Sequence, residues 1–135
     1  MVTELPRWEP GTPAVLSVHG PHAIPVSTAT RASDDRIVFA LARRRASLAA
    51  LREQPAAALC VLGEGVAFTA YGNARVIREE LDASPHVAAV ELRVSSVQDH
   101  LADGRTAMLD GARWRFTSDD AREADQAVRT ELAEL

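Results

Sequence analysis

RIVFALARRRASLAALREQPAAALCVL, Arg36 to Leu62, is the stretch on which the fold turns. Arg36 to Leu41 is apolar and partly β-branched, the composition of a strand, and it runs directly into Arg43, Arg44 and Arg45. Ser47 then predicts an N-cap, with Leu48 and Leu51 forming the apolar face of a helix of about two turns before Pro55 stops it. Ala56 to Leu62 is again a nearly continuous apolar run of strand length. A helix start already carries about half a positive charge, so it repels cations and attracts anions. The three arginines are therefore either solvated surface charge or one wall of an anion site.

Working outward, Ala14 to His19 and His22 to Thr28 read as a hairpin around Gly20-Pro21. Val66 to Arg78 is long for one strand, and Gly72 inside it predicts a bulge or a close backbone approach. Val87 to Val97 alternates like a further strand. Asp110-Gly111 is a hairpin turn signal, and Ala112 to Phe116 reads as a short strand with Trp114 opposite its arginine neighbours. Ser118 caps a closing helix whose first turn is acidic, with Ala121, Ala124, Val128, Leu132 and Leu135 at spacings of three and four. The expectation is a mainly β chain: an antiparallel barrel of six to seven strands, a short inserted helix and a C-terminal helix.

Composition narrows the function classes. With 135 residues and 47% hydrophobic content, the chain has the length of one domain, 1–135, able to bury its own core. A net charge of −4 argues against a broad nucleic-acid or anionic-lipid surface. No apolar run approaches the ~18 residues that cross a membrane, and no signal pattern opens the chain, so a cytoplasmic protein is expected. Cys60 is the single cysteine, read as a small core hydrophobe in a reducing compartment. All fifteen basic residues are arginine, which excludes a lysine nucleophile or Schiff base.

His19, His22, His86 and His100 show no metal-ligand spacing, and no serine sits in a nucleophile-elbow pattern. The arginine–serine junction is the feature with chemistry in it. Backbone donors, a hydroxyl and permanent guanidinium charge compose a phosphate site.

In this order the features resemble the pyridoxamine 5′-phosphate oxidase-like flavin-binding split barrels. That family includes FMN enzymes, deazaflavin-dependent reductases and haem-handling members. Three stretches carry the resemblance: TPAVLSVHGPHAIPVST (Thr12 to Thr28), the Arg36 to Leu62 segment, and AYGNARVIRE (Ala70 to Glu79). The resemblance implies a split antiparallel barrel and FMN as cofactor, with Arg43, Arg44, Arg45 and Ser47 around the phosphate. It implies Pro25, Val26, Ser27 and Thr28 along the isoalloxazine ring. It implies a homodimer with the flavin between subunits, to which Trp114 and Arg115 of the second subunit contribute, unless Trp114 is simply a core residue. The chemistry implied is oxidation or reduction of a small organic substrate. One departure stands out: many members carry lysine eight residues before the helix-ending proline and asparagine five before it, where this chain has Ser47 and Ala50. The alternatives left open are a deazaflavin of the coenzyme F-420 type, with Arg31 and Arg36 serving its acidic tail, and a non-catalytic barrel holding flavin or haem, with His22 or His100 as haem ligand.

Overall fold

The structure is a computed structural model and describes residues 4–135. In chain order the elements are β1 (Ala14–Val18), β2 (His22–Val26), β3 (Thr30–Ser33), β4 (Arg36–Ala42), α1 (Ala46–Glu53), β5 (Ala56–Gly63), β6 (Val66–Arg78), β7 (Val87–Asp99) and α2 (Asp119–Ala133). All seven strands lie in one antiparallel sheet of order β2-β1-β5-β6-β7-β4-β3. The two edge strands are also chain neighbours, separated only by residues 27–29. A sheet whose opposite edges are tied by so short a link has to curl round until they approach, and here it stays unclosed at that seam. This is the expected split barrel.

Strand β6 is long because it serves two partners, Val66 to Asn73 facing β5 and Phe68 to Arg78 facing β7. The register slips between Tyr71 and Gly72, and a Cβ at Gly72 would run into the backbone carbonyl of Arg93. The bulge expected from that glycine is therefore present, and its cause is close approach of two backbones.

The barrel interior is filled by Leu16, Ile37, Phe39, Leu59, Phe68 and Leu92, all fully buried, with the Trp8 ring centroid 5.4 Å from that of Phe68. A second, smaller core lies on the outer face of β4 and β7, where Val38 and Ala89 meet Leu81, Val128 and Leu132. Helix α2 covers this face. Ile37, Val38 and Phe39 are consequently all buried, which is why RIVFAL reads as a continuous apolar run and not as an alternating one.

Three expectations are corrected and one strand is added. Ala112 to Phe116 forms no strand: Gly65 N–H donates to the Met108 carbonyl and Gly111 lies against the Leu62 carbonyl, so the segment crosses the β5–β6 turn outside the ladder. Strand β3, polar and four residues long, was hidden because TRAS has neither alternation nor bulk. Cys60 is half-buried on the outer face of β5, since Leu59 and Val61 take the interior positions. Helix α1 starts two residues earlier than its serine suggests, with Arg45 as N-cap and no side-chain bond there. At α2 the reading holds, Ser118 Oγ accepting from Ala121 N–H at 3.1 Å above Asp119 and Asp120, although only Val128 and Leu132 of its apolar positions are buried.

Candidate functional site

The end of β4 is where the sequence-derived candidates converge. Past Ala42 the strand pairing runs on for one residue, Arg43 N–H donating to the His86 carbonyl at 2.9 Å. A tight turn follows, Arg45 N–H donating to the Ala42 carbonyl at 3.0 Å, and α1 begins at once. This path brings Arg43 and Arg44 to a cavity of about 730 Å³, which Ala42, Leu48, Arg52 and His86 complete. Arg52 reaches it because it lies four residues beyond Leu48 on the same helical face. Three guanidinium groups and an imidazole therefore border one space.

Two of those guanidiniums are already engaged. Arg43 NH1 donates to Glu80 Oε1 at 2.8 Å and Arg52 NH2 to Glu79 Oε2 at 2.7 Å, all four side chains being about half exposed. The hydrogen bond from Arg52 holds the Glu79 carboxyl below the ordinary glutamate range. Arg44 and Arg45 have no carboxylate partner among the described residues. Arg44 is thus the cation of this cavity that the protein itself does not neutralise.

The helix start beside the cavity has two unpaired donors, on residues that do not line it. Leu48 N–H folds back to the Arg45 carbonyl at 3.1 Å, whereas the Ala46 and Ser47 N–H groups have no acceptor among the described residues. No acidic residue occupies the first turn to offset its partial positive charge. Ser47 is placed differently from its expected position at the phosphate: its side chain is 3% exposed, turned into the protein beside Leu48, and does not border the cavity. Its Oγ is the only buried side-chain polar atom without a partner among the described residues.

The β2 candidates lie at the seam, next to the same end of β4. Thr28 is buried, and its Oγ1 accepts from Ala40 N–H at 2.9 Å, taking the role of a ladder carbonyl where β2 has ended and β3 has not begun. Val26 is buried in the barrel, and Pro25 is exposed. Ser27 Oγ donates to Asp125 of α2 at 3.3 Å, and Asp125 also accepts from Arg129 Nε at 2.8 Å. What this segment can offer a planar ligand is backbone and the Pro25 and Ser27 side chains.

Trp114 and Arg115 are exposed and belong elsewhere. Trp114 lines a shallower cavity of about 330 Å³ with Gly11 to Pro13 and Leu62 to Glu64. Neither residue reaches the arginine cavity within this chain. Among the described residues no histidine, cysteine and carboxylate cluster is arranged to hold a metal. Sequence reasoning missed Arg52 and His86. The helical spacing of Leu48 and Arg52 was available as a signal, but nothing in the chain announces that the β6–β7 connection brings His86 alongside.

A second arginine cluster lies on the outer face of β4, β6 and β7. Glu91, 3% exposed, accepts from Arg36 Nε at 2.5 Å and Arg75 Nε at 3.1 Å, with Arg93 NH2 at 3.7 Å. Burial works against ionisation of this carboxyl, but the Arg36 and Arg75 bonds outweigh it and hold its pKa below the ordinary 4.5.

Neither a scan against protein-family models nor a search of curated proteins finds a match. Solved structures do match by fold. A Listeria innocua protein named for pyridoxamine 5′-phosphate oxidase superposes with a TM-score of 0.53 at 15% identity, over 66% of this chain and 88% of its own. An F420 reductase matches with a TM-score of 0.55 at 11% identity, over 65% of this chain and 90% of its own. HupZ of Group A Streptococcus matches with a TM-score of 0.57 at 10% identity, over 76% and 90%. At such identities the likeness speaks to architecture alone. The chain has the split-barrel fold of the pyridoxamine 5′-phosphate oxidase-like proteins.

Proposed function

We propose that this protein binds a phosphate-bearing flavin, FMN, and uses it in the oxidation or reduction of a small organic substrate. The observation that carries the reading is the cavity at the β4–α1 junction, bordered by Arg43, Arg44, Arg52 and His86, with Arg44 unneutralised. Guanidinium groups beside free N–H groups at a helix start are the donor set a phosphate dianion requires, and the space accommodates a phosphate with its sugar-alcohol chain. These residues fit the phosphate end of the cofactor. The seam at Pro25 to Thr28, beside the same end of β4, would border the ring.

When bound, the flavin supplies the hydride chemistry; the chain supplies binding, orientation and charge. Arg43, Arg44 and Arg52 would anchor the phosphate, with Ser47 buried behind the helix start and Arg45 adding charge at the rim. We place the protein in the cytoplasm as a homodimer, a second copy covering the exposed Val15, Leu62 and Tyr71 on the outer sheet face. In that arrangement Trp114 and Arg115 contribute to the partner's site.

A deazaflavin is the second reading, supported by the shared fold of an F420 reductase. The additional arginines it would need are committed internally, however. Arg31 bonds the Leu5 and Pro6 carbonyls and Asp34, and Arg36 bonds Glu91. For haem, His22 and His100 lie outside the arginine cavity, and His100 Nε2 shares a hydrogen with Thr69 Oγ1 at 2.8 Å.

Titration with FMN, a deazaflavin and haem, followed by flavin fluorescence and visible absorption, tests the reading. FMN quenches on binding to the wild type and binds more weakly to Arg44→Ala. Absence of FMN binding at tens of micromolar would overturn it.

A further inference from the structure

Two carboxylates stand beside this cavity without lining it, Glu79 bordering instead a neighbouring cavity of about 440 Å³ that Arg52 also borders. Glu79 and Glu80 stand on the β6–β7 connection, and each takes one of the three guanidiniums that border the space. We propose that Glu79 and Glu80 are built-in competitors for the anion of this cavity, so that a ligand gains Arg43 and Arg52 only by displacing them. This inference rests on the phosphate reading above and adds to it a device that sets affinity.

The connection is held in place independently of those two ion pairs. Leu81 is buried in the outer core, and its N–H donates to the Val87 carbonyl at 3.0 Å. Glu131 of α2 accepts from Asp82 N–H at 2.9 Å, Ala83 N–H at 2.7 Å and Arg78 at 3.0 Å. Helix α2 thereby fixes the backbone that presents the two carboxylates, while their side chains remain about half exposed and free to swing into water.

Of the three arginines that border the cavity, Arg43 and Arg52 are paired with carboxylates that lie outside its lining, leaving Arg44 as the surplus charge. A ligand first meets Arg44. To recruit Arg43 and Arg52 it has to offer each a better acceptor than a solvated glutamate, which a phosphate dianion with three terminal oxygens does and a single carboxylate does not. Exposed pairs of this kind are individually weak, so displacement costs little enough to remain reversible.

The test compares wild type, Glu79→Gln/Glu80→Gln, Glu64→Gln and Arg44→Ala, using calorimetry with inorganic phosphate and fluorescence titration with FMN. Glu64, on the exposed β5–β6 turn, controls for a general change in net charge. The double variant is expected to bind both probes about three- to tenfold more tightly, as loss of two exposed ion pairs implies, with Glu64→Gln unchanged. If the double variant binds no more tightly while Arg44→Ala still weakens both probes, the competition is refuted and the phosphate reading stands. If Glu64→Gln tightens binding equally, the effect is general charge and the competition is likewise refuted. If neither probe binds any of the four proteins, both readings fall.

Discussion

The two arginine clusters of this molecule use the same side chain to opposite ends. Around Glu91, Arg36, Arg75 and Arg93 converge on a carboxylate that the sheet buries between them. At the β4–α1 junction, Arg43, Arg44 and Arg52 converge on open space, and the carboxylates that meet two of them are exposed. The first cluster carries its own anion and closes. The second leaves the Arg44 charge uncompensated, and it is the one with room for a ligand. Arginine count alone does not separate them; the burial of the partner does.

That contrast can be broken by substitution, the largest effect coming from the closed cluster. Gly72→Ala would force the β6–β7 ladder apart at the Arg93 carbonyl, disturbing the strands that carry Arg75, Glu91 and Arg93. A loss of about 3 kcal/mol is expected in urea denaturation. Glu91→Ala would strand its arginines without a partner. Because Arg75 and Arg93 reach water, the expected loss is about 2 to 3 kcal/mol, below that of a fully buried pair, read by the same denaturation.

The open cluster should respond in binding and not in stability. Arg44→Ala is expected to weaken FMN about tenfold, the worth of one charge-assisted hydrogen bond, with an unchanged thermal midpoint. Glu91 also sharpens the contrast through pH. Its folded pKa lies below the ordinary 4.5, so its stabilisation is complete above that value and is lost as pH falls through the folded pKa. The wild-type thermal midpoint should therefore drop more steeply than that of Glu91→Gln as the pH falls below the ordinary 4.5. The smallest effect is expected for Arg45→Ala, which caps α1 without bordering the cavity: less than about threefold on FMN affinity in the same fluorescence titration.

Much of the architecture is legible in local pattern. Pro55 ends α1, Gly72 marks the bulge and Ser118 caps α2, each because one residue's backbone chemistry admits few alternatives. The misread parts are those where a local signal lost to packing. Ser47 has the chemistry of a cap, but the turn closed by Arg45 N–H and the Ala42 carbonyl starts the helix earlier and turns the hydroxyl inward. ARWRF has strand composition, but no neighbouring strand has a free edge where its path runs, so it stays outside the sheet.

By itself, then, the sequence determined six of the seven strands, the inserted helix and the arginine concentration at the β4–α1 junction, because periodicity, turn residues and formal charge are local properties. Only the tertiary structure decided which arginines share a cavity, that Arg52 and His86 join them, that Glu79 and Glu80 face them, and that Arg36 is spent on Glu91. Those relations link residues up to 55 positions apart through strand pairing and the docking of α2, and no local pattern encodes which charged groups such pairing will bring within reach.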